Sequence, residues 1–286
     1  MPSIRVDDVE LHYESHGVGT PLLLLHELAM DASGWVPQIS ELARRHRVVT
    51  LNLRGYPPSS VPADPAAYRH ETLIADIEKV LDGLELASAF VIGHGTGGNL
   101  ALGFALAHRE RVRGLALIGS GAGFGNPGWK ARSSAMSKAV SEGGMAVLVE
   151  SVGKAAQRLP FAAKDPRGWA ALLDGIRRLS PLGIANLMAS GVRDRPTFTE
   201  LADDIAGLTV PLLLLVGDRD APAFDANVFL ARTAPHAGLA VLPCSGHTLP
   251  AEEPALVNRL LADFIAQVRE GRWAGWRRAA GDGEGG

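Results

Sequence analysis

A single cysteine, Cys244, in 286 residues excludes an intrachain disulfide and any multi-cysteine metal site, and it fits a reducing compartment. A strong excess of either charge is also missing. Lys and Arg number 28 against 31 Asp and Glu, a formal net charge of -3. That balance gives no electrostatic ground for nucleic acid or an anionic membrane as partner. No apolar run approaches the ~18 residues of a membrane-spanning helix. The opening MPSIRVDDVELHYESHG lacks the charged-then-apolar pattern of a secretion signal. The expectation is a soluble, cytoplasmic protein with a small-molecule partner. No metal or organic cofactor is implied, and the oligomeric state stays open.

What is present is ordinary for a globular chain: 47% hydrophobic and 21% charged residues. The length suits one large α/β domain or two small ones. Residues 4–13 alternate as two short strands around Asp7-Asp8, an opening hairpin. Leu22–Leu25 is a continuous apolar run, as expected for a parallel strand covered on both faces, and further mainly apolar strands are read at 47–51, 89–92, 113–118 and Val210–Val216. Between them lie stretches of helical spacing, such as Leu73, Ile77, Val80, Leu81 and Leu84 with acids on the other side. From about 124 to 207 the strand signal vanishes. Helical segments broken by Gly and Pro replace it, which reads as an inserted helical cap over 124–207 between core halves 1–123 and 208–271. The Gly-rich end, 272–286, reads as a frayed tail. The rhythm predicts an α/β class with a mostly parallel, doubly wound sheet.

The chemistry concentrates in Phe90–Ala105, FVIGHGTGGNLALGFA. Strand, tight turn and helix follow one another here, with the outline of a nucleophile elbow, G-x-S-x-G, as Gly93-His94-Gly95-Thr96-Gly97. The middle position is Gly95, so the attacking side chain is absent. Two further loops at predicted strand ends carry Gly217-Asp-Arg-Asp220 and Gly246-His247. Elbow, acid, histidine is the chain order of the α/β-hydrolases. With LNLRGY, GDRD and SGHTLPAEEP, these motifs make residues 4 to 270 resemble the α/β-hydrolase superfamily, and the cap resembles those of enol-lactonase-like and carbon–carbon-bond hydrolase members.

The resemblance implies that His247 is the catalytic base and Asp220 its orienting acid, with Asp218 a rival on the same loop. It implies oxyanion donors at the backbone N–H groups of Thr96 and Leu28, with His26 beside them. Two departures stand out. Gly95 deletes covalent catalysis while relieving a strained backbone position. Glu27 replaces the common glycine after His26. It either closes part of the oxyanion site, or sets a carboxylate of raised pKa beside the substrate, or points to solvent. Trp129 and Trp169 are candidate pocket walls, with packing inside the cap as the alternative. Arg54 and Tyr56 read as structural, and Cys244 as a small packed residue.

Three readings follow. His247 and Asp220 act on a small, largely apolar molecule without an acyl-enzyme, activating water or moving a proton, in hydrolase- or lyase-type chemistry. Alternatively the chain is a noncatalytic small-molecule or partner binder, or a serine hydrolase whose elbow serine has been replaced by glycine.

Overall fold

A computed structural model of the chain describes residues 2–121 and 123–273. Strands β1 (Ser3–Val6), β2 (Val9–His16), β3 (Thr20–Leu25), β4 (His46–Leu51), β5 (Ala89–His94), β6 (Val112–Ile118), β7 (Leu212–Gly217) and β8 (Ala237–Leu242) form one eight-stranded sheet. Its order is β1-β2-β4-β3-β5-β6-β7-β8, antiparallel at β1 and β2 and parallel from β4 onward. The apolar runs are continuous because both faces are covered. Leu22 and Leu24 pack with Trp35 and Phe264 on one face, while Leu23 and Leu25 pack with Leu73 and Leu102 on the other.

The core helices are α1 (Val36–Leu42), α2 (His70–Gly83) and α3 (Thr96–Ala107), and after the cap α10 (Ala221–Thr233), α11 (Leu249–Glu252) and α12 (Pro254–Arg269). Between β6 and β7 stand only helices among the described residues: α4 (Trp129–Gly143), α5 (Met145–Gly153), α6 (Leu159–Lys164), α7 (Pro166–Arg178), α8 (Pro181–Leu187) and α9 (Ala202–Ala206). This is the helical cap region, with Val140, Ile176, Ile184 and Leu187 fully buried. Its helices start where local chemistry demands. Asp165 caps α7 and Ser180 caps α8, each followed by proline at the first helical position.

Residues 144–158 are not one helix. After α5, a 3-10 turn at Ala156–Arg158 leads directly into α6. The expected frayed tail lies outside the described residues beyond Trp273. Trp273 itself packs on Phe264 and donates its Nε1–H to the His236 carbonyl at 2.9 Å.

Strand order reverses where β3 lies between β4 and β5, so the turns after β3 and β5 open onto one crevice at the strands' carboxyl ends. Glu27 and Gly95 stand on those two turns. No helix among the described residues is long and apolar enough to cross a membrane.

Candidate active site

The elbow is built as its sequence requires. Strand β5 ends at His94, Gly95 takes φ 53° and ψ −115°, and α3 begins at Thr96. Helix α3 then passes so close to β3 that a Cβ on Gly97 would stand 2.2 Å from the Leu25 carbonyl oxygen, which only glycine permits. Gly95 thus holds a positive-φ turn conformation that L side chains rarely adopt.

The acid and the histidine come together. His247 Nδ1–H donates to Asp220 Oδ2 at 2.8 Å, and Asp220 is fully buried. Asp218 is otherwise engaged: its carboxylate accepts the Ser245 N–H at 3.1 Å. The other ring nitrogen, Nε2, faces Glu27. Glu27 Oε2 lies 3.3 Å from it, and the glutamate is 2% exposed. His247 therefore stands between two carboxylates. Burial pushes its pKa down, and Arg158 adds to that; Asp220 and the hydrogen bond to Glu27 outweigh both, for a value of about 9. At neutral pH it is an imidazolium.

Glu27 does not point to solvent. Arg158, on the 3-10 turn before α6, grips it with Nη1–Oε1 at 2.8 Å and Nη2–Oε2 at 2.5 Å. Burial pushes the Glu27 pKa up, but Arg158, His247 and His94 together carry it well below the usual carboxylate range. The expectation of a raised pKa fails for that reason. The carboxylate is held ionised by a guanidinium that fits it with two parallel hydrogen bonds.

Glu27 also explains the space over Gly95. A Cβ on Gly95 would meet Glu27 Cβ at 3.0 Å, His247 Nε2 at 3.4 Å and Glu27 Oε2 at 3.6 Å. The carboxylate, arriving from the turn after β3, lies beside the position a Cβ on Gly95 would take. The two departures in the sequence are neighbours in space.

Around this row, Leu28 follows Glu27 on the turn and Thr96 opens α3. His26 is buried on the same turn. It is 1% exposed; its Nδ1–H donates to the Glu27 carbonyl and its Nε2 accepts the Leu53 N–H, so it braces the turn. Trp169 is likewise set in the cap, edge-on to Phe161 with centroids 6.2 Å apart. Trp129 lines a small void with Phe124, Arg195 and Phe198, under a cation–π contact from Arg195 at 5.6 Å. Cys244 is exposed rather than packed, on a turn at φ 53°. Arg54 forms a buried double hydrogen bond with Asp76, and the Tyr56 hydroxyl donates to the Leu28 carbonyl at 2.8 Å.

Arg158 and His94 have no role in the sequence reading. His94 is fully enclosed, and its Nε2–H donates to the His247 carbonyl at 2.8 Å. Burial lowers its pKa to about 4, so it is neutral. Glu27, His94 and His247 bring ligand-type atoms within 4.8 Å of one another, the composition of a divalent-cation site. Arg158 already holds both Glu27 oxygens, and a proton fills the His247 Nε2 lone pair.

A mostly parallel sheet with a helical cap, an elbow turn after β5 and an acid–histidine pair at the ends of β7 and β8 define the α/β-hydrolase class. The chain belongs to the α/β-hydrolase superfamily. The family described as "alpha/beta hydrolase fold" matches residues 20–137. A RutD-type candidate carbamate hydrolase of Azorhizobium caulinodans is 30% identical over 275 residues, covering 94% of this chain and 99% of its own. Among solved structures, a thermophilic esterase from Thermogutta terrifontis superposes with TM-score 0.84 at 26% identity over 94% of this chain and 99% of that one. The enol-lactonase from Burkholderia xenovorans gives TM-score 0.80 at 25% identity, over 93% and 100%.

Proposed function

We propose that this protein is a hydrolase of a small, largely apolar molecule that works without an acyl-enzyme, with His247 and Glu27 exchanging protons over Gly95. The observation that carries this is the row Asp220–His247–Glu27, bonded at 2.8 Å and spaced at 3.3 Å above an elbow with no side chain. The position a Cβ would take on Gly95 lies 3.4 Å from His247 Nε2 and 3.6 Å from Glu27 Oε2. A water beside it stands next to a cationic donor and an anionic acceptor. Glu27 takes a proton from that water as its oxygen adds to the substrate carbonyl. His247 gives its Nε2 proton to the leaving group, and the proton on Glu27 then returns to His247. Asp220 holds the ring throughout, and the N–H groups of Thr96 and Leu28 face the developing oxyanion. The hydrolase names of the relatives, on carbamates and enol-lactones, suggest the panel on which to look.

The test compares the native chain with His247→Ala and Glu27→Gln on carbamates, enol-lactones and short esters. General acid–base action is worth about 10²–10⁴-fold, so each variant loses at least about 100-fold in kcat/KM. Turnover that survives His247→Ala overturns the reading.

One observation favours a second reading, a noncatalytic binder. Arg158 neutralises Glu27 and makes it a weak base. Binding without turnover on any member of the panel selects that reading. Fluorophosphonate labelling of Gly95→Ser, absent from the native chain, selects a serine hydrolase that has lost only its nucleophile.

A further inference from the structure

The loop that carries His247 is fastened residue by residue. Ser245 donates its N–H to Asp218 Oδ1 at 3.1 Å. His247 donates its N–H to the Gln157 carbonyl at 2.7 Å, and its own carbonyl accepts the His94 Nε2–H at 2.8 Å. Between them, Gly246 donates its N–H to both carboxylate oxygens of Glu252, 3.1 Å from Oε1 and 3.0 Å from Oε2. Glu252 closes the short helix α11, and its side chain is 0% exposed. It belongs to the SGHTLPAEEP stretch, and the proposed proton transfers leave it without a part.

The peptide at Gly246 has no room to shift. A Cβ there would stand 2.1 Å from the Gln157 carbonyl oxygen and 3.4 Å from Glu252 Oε2, so the chain is pressed between the cap turn and the carboxylate. A buried carboxylate calls for a counter-charge. The cap supplies it. Lys164, the last residue of α6, sets Nζ 2.9 Å from Glu252 Oε1, 2.6 Å from Glu253 Oε1 and 3.1 Å from Ser245 Oγ. One ammonium thus grips residues on both sides of His247. The ring needs such a frame. It spans two carboxylates held elsewhere, with Nδ1 at 2.8 Å from Asp220 and Nε2 at 3.3 Å from Glu27, so a movement of its backbone lengthens at least one of these distances.

We propose that Glu252 is a positioning residue: gripped by Lys164 of the cap, it fixes the Gly246 peptide and so keeps the His247 ring in line between Asp220 and Glu27. The seat of the cap thereby sets the aim of the histidine. This rests on the reading that His247 carries protons in the reaction above.

The His247 imidazole is followed by NMR titration in the native chain and in Glu252→Ala, Glu252→Gln and Lys164→Met. The charged groups facing the ring are Asp220, Glu27 and Arg158, with neutral His94 beside it. In Glu252→Ala the ring leaves that line and binds its proton at least about tenfold more weakly than in the native chain, where it titrates at about 9. Glu252→Gln loses the charge but keeps an oxygen for the Gly246 N–H, and stays near the native value. Lys164→Met is the test of sign. Loss of a positive charge alone strengthens proton binding, whereas loss of aim weakens it, and weakening is expected. On any substrate turned over, Glu252→Ala loses kcat, up to about 100-fold, with KM unchanged.

A lower Tm with an unmoved His247 titration makes Glu252 a structural residue and overturns the proposal. Equal shifts in Glu252→Ala and Glu252→Gln reduce it to a charge effect and overturn it too. The Lys164 side chain is 33% exposed and tolerates methionine, so Lys164→Met decides alone where Glu252→Ala does not fold: stronger or unchanged proton binding overturns the proposal. Failure of the two readings is distinguishable. A shifted titration in a protein that turns over no substrate leaves the positioning role and removes the reaction; turnover with an unmoved titration does the reverse.

Discussion

At position 95 a glycine occupies a backbone conformation that L residues adopt only under strain, about 1–3 kcal/mol. Gly95→Ser therefore lowers unfolding free energy by about that amount, read by urea denaturation. The same variant sets two pH profiles against each other. His247 is protonated below about 9. The proposed reaction needs the imidazolium, so its kcat/KM is expected to be level below that value and to fall above it. A serine at 95 needs the neutral ring as its base, so fluorophosphonate labelling of Gly95→Ser rises as pH approaches about 9 and then levels. Parallel profiles would remove His247 from the role given to it here.

At the scale of elements, the turn Ala156–Arg158 joins cap to core. Its Gln157 carbonyl accepts the His247 N–H at 2.7 Å, while Arg158 reaches Glu27 and, at 3.3 Å, Thr248 Oγ1. Breaking a buried ion pair by removing one partner leaves the other charge uncompensated, at a cost of about 3–5 kcal/mol. Arg158→Met and Glu27→Met each lose about that much stability, and the double variant recovers most of it. A chemical-denaturation cycle measures this, and additive losses would contradict it. This element was also the least legible in the sequence. The strands announced themselves because sheet faces covered on both sides leave unbroken runs such as Leu22–Leu25. Asp220 and His247 were legible because short loops fix their places at the ends of β7 and β8. Arg158 lies 131 residues from Glu27, in a cap segment that also holds Arg132, Arg167, Arg177, Arg178, Arg193 and Arg195. Nothing local says which one turns inward. The packing of cap on core decides it.

For the whole molecule, buried histidines set the acid limit of stability. Burial lowers His70 to about 4, as it does His94. Their unfolded value is near 6.5, so each contributes stability that is complete above about 6.5 and lost as pH falls through about 4. The linked free energy is about 3 kcal/mol per group at most. His247 has the opposite sign: its contribution is complete below about 6.5 and lost as pH rises through about 9. Tm therefore falls on both sides of neutrality, and His70→Asn flattens only the acid side. The stitching of the cap turn to the histidine loop has a consequence for modularity. A cap exchanged with that of a relative takes residues 157 and 158 with it, and with them the guanidinium that keeps Glu27 ionised and the carbonyl that holds His247 in place. In this protein the cap is not an interchangeable specificity module, because the charge state of the core's own residues travels with it.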